Sequence, residues 1–173
     1  LNSDNHMTTG SITAMIKPFI ILLSVFAITP SMAADPVWLQ GKTDDSYQIT
    51  VYRSASCGCC KGWIDHLKEH DFEVNDVVVN DVSEHKSRLN VPAQAASCHT
   101  AVVNGVAIEG HVPAQDIKRM LQAETQDIRL LTVPAMPSGT PGMDTPGAAK
   151  DAFKVYSISN DNQVGVFNSY TDY

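Results

Sequence analysis

Past residue 34 the sequence has no apolar run approaching the ~20 residues that cross a bilayer as a helix. A chain beginning there is expected to be soluble, with no stable membrane insertion. Positive charge is also scarce: 12 Lys and Arg stand against 19 Asp and Glu, a formal net charge of −7. Phosphate backbones attract basic surfaces, so this balance argues against nucleic acid as a partner. No segment repeats, and cysteine occurs only as Cys57, Cys59, Cys60 and Cys98. A domain of ~140 residues buries enough surface to fold without staples, which leaves those four side chains available for chemistry.

The one long apolar stretch, Pro18 to Ile28, follows Lys17 and is closed by the small residues Ser31, Ala33 and Ala34. That order reads as a secretory signal peptide. Residues 1–34 are therefore expected to be leader and signal, removed on export, with Met15 the natural start. An uncleaved anchor is the alternative. The mature chain is expected in the periplasm, an oxidising compartment where thiols pair, carry redox function or hold metal.

Residues 35–46 are polar and aperiodic and read as a linker, with the domain proper over 47–170. Gln48 to Tyr52 places Ile49 and Val51 on one side of a strand. Small residues follow, then Cys57-Gly58-Cys59-Cys60, where a helix is expected to begin, with Trp63, Ile64 and Leu67 as its apolar stripe. Phe72 to Val79 reads as a second strand and Ser83 to Leu89 as a short polar helix, ended by Val91-Pro92. Thr100 to Val103 and Val106 to Glu109 flank Asn104-Gly105, the signature of a type I′ hairpin. Pro113 opens a helix that buries Ile117, Met120 and Leu121 and turns Lys118 and Arg119 to solvent. Pro134 to Gly147 is a Pro/Gly-rich loop. A last hairpin, Phe153 to Ile158 and Val164 to Phe167, turns at Asn160-Asp161-Asn162. This order predicts an α/β (α+β) domain: a thioredoxin-like mixed sheet flanked by helices, with an added C-terminal β-hairpin.

Cys57 and Cys60 have C-x-x-C spacing at a helix N-terminus, where free N–H groups and the helix dipole favour thiolate. A redox dithiol needs two sulfurs. Cys59 adds a third, and in a thioredoxin-like sheet the loop carrying Cys98 lies against the C-x-x-C, so four soft ligands converge. Thiolates select Cu(I), Zn(II) or iron–sulfur clusters. Met136 and Met143 favour Cu(I), because thioethers suit it and are poor for Zn(II); the plain alternative is that both anchor the loop as apolar side chains. His99 and His111 stand near the same sheet end, as copper ligands or their supports, or as ordinary hydrogen-bonding residues. His66 and His70 have a spacing that could hold zinc, although a solvated helix edge fits their pattern better. His85 is expected at the surface, and His6 falls in the leader. Two structural disulfides, Cys57 with Cys60 and Cys59 with Cys98, are the bland alternative for the cysteines.

Several separated motifs then stand in order: Val51-Tyr52 leading into Cys57-Gly58-Cys59-Cys60; Trp63 and His66-Leu67; Ala96-Ser97-Cys98-His99-Thr100-Ala101; Ile108-Glu109-Gly110-His111-Val112-Pro113-Ala114; Met136-Pro137; and Pro141-Gly142-Met143. Together they resemble the CopG family of small periplasmic proteins (DUF411), associated with bacterial copper resistance, over nearly the whole chain after the leader. The resemblance implies a thioredoxin-like domain holding a multinuclear Cu(I) cluster bridged by Cys57, Cys59, Cys60 and Cys98. Copper ions, and other periplasmic copper-handling proteins, are the partners it implies. The family's task is either copper sequestration or copper redox interconversion. A thiol–disulfide oxidoreductase with Cys57 as nucleophile and Cys60 as resolving thiol is the rival reading, and a zinc-stabilised interaction module is a third.

Overall fold

The computed structural model describes residues 36–123 and 127–173. The expected signal peptide lies outside the described residues. A single mixed sheet of seven strands runs in the order β2-β1-β3-β4-β5-β6-β7. β1 (Tyr47–Arg53) and β2 (Phe72–Val78) are parallel and are joined by α1 (Gly58–Glu69). β1 alternates as its sequence requires: Ile49 and Val51 are buried in the core, while Arg53, also buried, is matched by a two-pronged bond to Asp76 at 2.8 and 2.6 Å. The short helix α2 (Ser83–Arg88) leads towards β3 (Thr100–Val103), which pairs antiparallel with both β1 and β4 (Val106–Glu109). The β3–β4 turn is the expected one, with positive φ at Asn104 and Gly105.

After β4, α3 (Ala114–Gln122) leads to β5 (Ile128–Thr132), which lies parallel to β4. This strand was not anticipated from the sequence. Leu130 and Leu131 are both fully buried, so the segment lacks the in-and-out alternation that marks a half-exposed strand. β6 (Phe153–Ser159) and β7 (Val164–Tyr170) form the added hairpin and continue the sheet antiparallel from β5. Asp116 of α3 fastens that hairpin. Its carboxylate accepts from Tyr170 Oη at 2.8 Å, Asn168 Nδ2 at 2.9 Å and Arg119 at 3.0 Å, which satisfies an acid that burial would otherwise penalise.

The core contains the expected stripe of α1, Trp63, Ile64 and Leu67, and the expected face of α3, Ile117, Met120 and Leu121. Three expectations are corrected here. The segment expected to be a linker begins with a 3-10 turn (Pro36–Leu39) and buries Trp38 completely. That indole packs on Phe153, Tyr170 and Tyr173 with ring centroids 5.2–6.1 Å apart, and its Nε1 donates to the Gly139 carbonyl at 3.2 Å. Lys118, expected in solvent, is buried because its ammonium reaches back to donate to the Thr43 carbonyl at 2.7 Å. His66 and His70 are buried rather than solvated. The first accepts the Ala114 amide at 2.9 Å, and the second bonds the Trp38 carbonyl, so the N-terminal turn and the start of α3 cover that flank of α1. His85 is partly exposed and stacks on Tyr52.

Candidate metal centre

Cys57 is the N-cap of α1, and Cys59 and Cys60 lie in its first turn. β1 ends at Arg53, Ser54 to Cys57 turn the chain, and α1 begins at Gly58, which sets the three cysteines together at the helix start. Cys98 arrives from the segment before β3. One sulfur donor from each of Cys57, Cys59, Cys60 and Cys98 lies within 4.8 Å of every other. Cys57 and Cys60 are joined as a disulfide, with Cα atoms 5.4 Å apart, while Cys59 and Cys98 are free thiols. The sulfurs of Cys57 and Cys59 are 3.6 Å apart, as are those of Cys60 and Cys98. Of the two bridges weighed from spacing, one is therefore formed and the other is not.

Both histidines expected near this end of the sheet are there. Cys98, His99 and His111 make a second group of potential donors, within 4.8 Å of one another and sharing Cys98 with the first. The Cys98 sulfur is 3.3 Å from His99 Nδ1 and 3.2 Å from His111 Nε2. On the far side of the His111 ring, Nδ1 lies 2.7 Å from the Pro141 carbonyl. A carbonyl only accepts, so Nδ1 carries the proton and Nε2 turns its lone pair to the sulfur. This is how a second partner orients a ligating imidazole. His99 is fully buried against Trp63, with ring centroids 4.3 Å apart, and Trp63 is in turn anchored by its Nε1 on the Val112 carbonyl at 2.8 Å. The His99 Nε2 has no hydrogen-bond partner.

Burial lowers the pKa of both imidazoles. At His99 the neighbouring His111 and Lys86 add to it, and at His111 the bond to Pro141 opposes it. Both are therefore neutral at neutral pH, the form that ligates metals. Burial, reinforced by the nearby Cys59, pushes the Cys98 thiol up to about 12. A cation at this point would be needed to draw off its proton. Once the Cys57–Cys60 bridge is reduced, the donors fit a soft cation: sulfur atoms of four cysteines at one place and two neutral imidazoles beside Cys98.

The methionine loop meets the same place by its backbone. Gly142 has φ of +82°, and a Cβ there would come within 2.7 Å of the Cys59 carbonyl oxygen and 2.8 Å of Gly62. Only glycine lets the loop lie so close on the first turn of α1. Met143, the next residue, is partly buried, whereas Met136 is half-exposed. Sequence reasoning missed Glu109, a fully buried carboxylate behind Cys98. A charged residue closing an apolar strand was the available signal.

The family model described as a protein of unknown function, DUF411, matches residues 95–143, the stretch from just before Cys98 to Met143. Two solved structures of copper resistance protein CopG are similar to the chain. Form 2 is 43% identical, with a TM-score of 0.69, covering 73% of this chain and all of that one. The chain belongs to the CopG copper-resistance family. Form 1 of CopG is 44% identical, with a TM-score of 0.68, covering 73% of this chain and 98% of that one. No curated protein sequence matches. Against this CopG background the C-x-C-C turn lies outside the stretch matched by the family model, so its link to Cys98 comes from the geometry.

Proposed function

We propose that this protein is a periplasmic copper-binding protein of copper resistance, which holds Cu(I) as a multinuclear cluster bridged by Cys57, Cys59, Cys60 and Cys98. The observation that carries the reading is the convergence of four sulfur donors from two distant segments within 4.8 Å. Membership of a family whose solved relatives are copper resistance proteins supports copper over zinc or iron–sulfur. In this reading the fold is thioredoxin-like, His99 and His111 ligate or support the metal, and the loop carrying Met136 and Met143 shields it. The closed Cys57–Cys60 bridge requires two electrons before all four sulfurs can act as thiolates. Copper loading is thereby coupled to the redox state of the site, which accommodates a part in copper redox conversion.

The same disulfide favours a second reading, a thiol–disulfide oxidoreductase using Cys57 and Cys60, because C-x-x-C at a helix N-terminus is the arrangement such enzymes use. Metal content and free-thiol count of protein purified without oxygen discriminate the two. Copper present at more than one ion per chain, with no insulin-reducing activity, supports the cluster. Insulin reduction that survives Cys59→Ala, in protein that takes up no copper, supports the enzyme.

A further inference from the structure

Glu109 is not among the candidate metal donors, yet its side chain is fully buried and bonded to residues on either side of Cys98. One carboxylate oxygen, Oε1, accepts from the Ser97 backbone amide at 2.6 Å and from the Lys86 ammonium. The other, Oε2, accepts from the Thr100 hydroxyl at 2.6 Å, and Lys86 also donates to that hydroxyl at 2.9 Å. The residue before Cys98 and the residue two after it thus hang on a single carboxylate.

Burying an ion pair is costly, and a well-packed apolar pair often serves stability equally well. The hairpin itself does not need this one, since Thr100 and Glu109 already face each other in the β3–β4 ladder. What the ladder cannot supply is a partner for the Ser97 amide, which lies outside both strands. Glu109 supplies it, and Lys86 of α2 balances the charge. Downstream, the Gly110 amide donates to the His99 carbonyl at 3.2 Å, so the same strand end also braces the residue on the other side of Cys98.

We propose that Glu109, held in place by Lys86, is a positioning residue for Cys98: it fixes the Ser97 to Thr100 turn so that the Cys98 sulfur meets Cys60, His99 and His111 together. The placement stands on geometry alone. Its consequence for copper rests on the reading given under Proposed function, and the test separates the two.

The free thiols of the disulfide form are Cys59 and Cys98, so iodoacetamide labelling of metal-free protein, resolved at each cysteine by mass spectrometry, reads the position of Cys98 directly. In Glu109→Met, which keeps the side chain's length but leaves the Ser97 amide and Lys86 without their acceptor, Cys98 should be alkylated about tenfold faster while Cys59 keeps its rate. Thr100→Val, which removes one donor to the carboxylate and keeps the strand's shape, should show a smaller rise at Cys98 alone. It decides the matter if Glu109→Met does not fold. Cu(I) competition on the reduced protein should show about a tenfold loss of affinity in Glu109→Met. Wild-type labelling rates at Cys98 in these variants, or equal acceleration at both cysteines, overturn the positioning role. Selective acceleration at Cys98 in a protein that binds no Cu(I) upholds it and overturns the copper reading instead.

Discussion

The imidazole of His111 presents Nε2 to the Cys98 sulfur at 3.2 Å because its Nδ1 is tied to the carbonyl of Pro141 at 2.7 Å. One residue of the Pro/Gly-rich loop thereby sets the tautomer of a side chain just past the end of β4. Replacing His111 with Ala removes both a donor and the loop's tether, and Cu(I) affinity should fall by ~10–100-fold, the range seen when metal-supporting groups are lost. Competition against a Cu(I) chelator measures it.

On the proposed ligand set, the bridge between Cys57 and Cys60 would make copper loading depend on reductant. Protein prepared without reductant should show two free thiols, Cys59 and Cys98, and reduced protein four. Copper uptake should rise with the thiol count in the same samples. Equal uptake by both preparations would show that the bridged sulfurs are not ligands.

Copper uptake should also depend on pH through Cys98, whose thiol is pushed up to about 12 by burial. A metal held by that sulfur as thiolate displaces its proton, so apparent affinity should climb about tenfold per pH unit for each thiol proton released. Titrations between pH 6 and 8 read the slope. A flat profile would exclude Cys98 as a thiolate ligand.

Gly142 tests the loop independently of metal. Its positive φ and its approach to Cys59 and Gly62 leave no room for a methyl group. Gly142→Ala should cost ~1–3 kcal/mol in a denaturant titration, with weaker copper retention because the loop is lifted from α1.

How far such features could be read in advance depended on how local their causes are. The Asn104-Gly105 turn, the stripe Trp63-Ile64-Leu67 and the helix starting at the C-x-C-C turn are dictated by neighbours in sequence, and each stands where the pattern places it. β5 escaped because burial of both Leu130 and Leu131 erases the period of two. Trp38 and Lys118 escaped for a different reason. Trp38 is held by Gly139, 101 residues away, and Lys118 by Thr43, 75 residues away. No periodicity carries contacts of that range. Within the candidate site, the approach of Cys98 to the C-x-C-C turn and of His99 and His111 to Cys98 was legible from the order of elements, whereas Glu109 was not. Which two cysteines are bridged was not, since spacing alone permits several pairings.

Burial of His66 gives the fold an acid-sensitive point. Its pKa is lowered to about 3, first by burial and then by His70 and His111. The unfolded chain takes up a proton near pH 6.5 and the folded one does not, so this contribution to stability is intact above 6.5 and erodes as pH falls towards 3. The loss should approach ~1.4 kcal/mol per pH unit within that window. Denaturation midpoints measured from pH 7 to 4 should decline less steeply in His66→Gln than in the wild type.

The Cu(I) stoichiometry of fully reduced protein, measured without oxygen for the wild type and for Cys98→Ala, decides whether the four sulfurs act as one cluster. More than one Cu(I) should bind per wild-type chain, and that uptake should be lost in the variant, because Cys98 completes the set of sulfurs that begins at Cys57. Unchanged stoichiometry in Cys98→Ala would exclude a shared cluster.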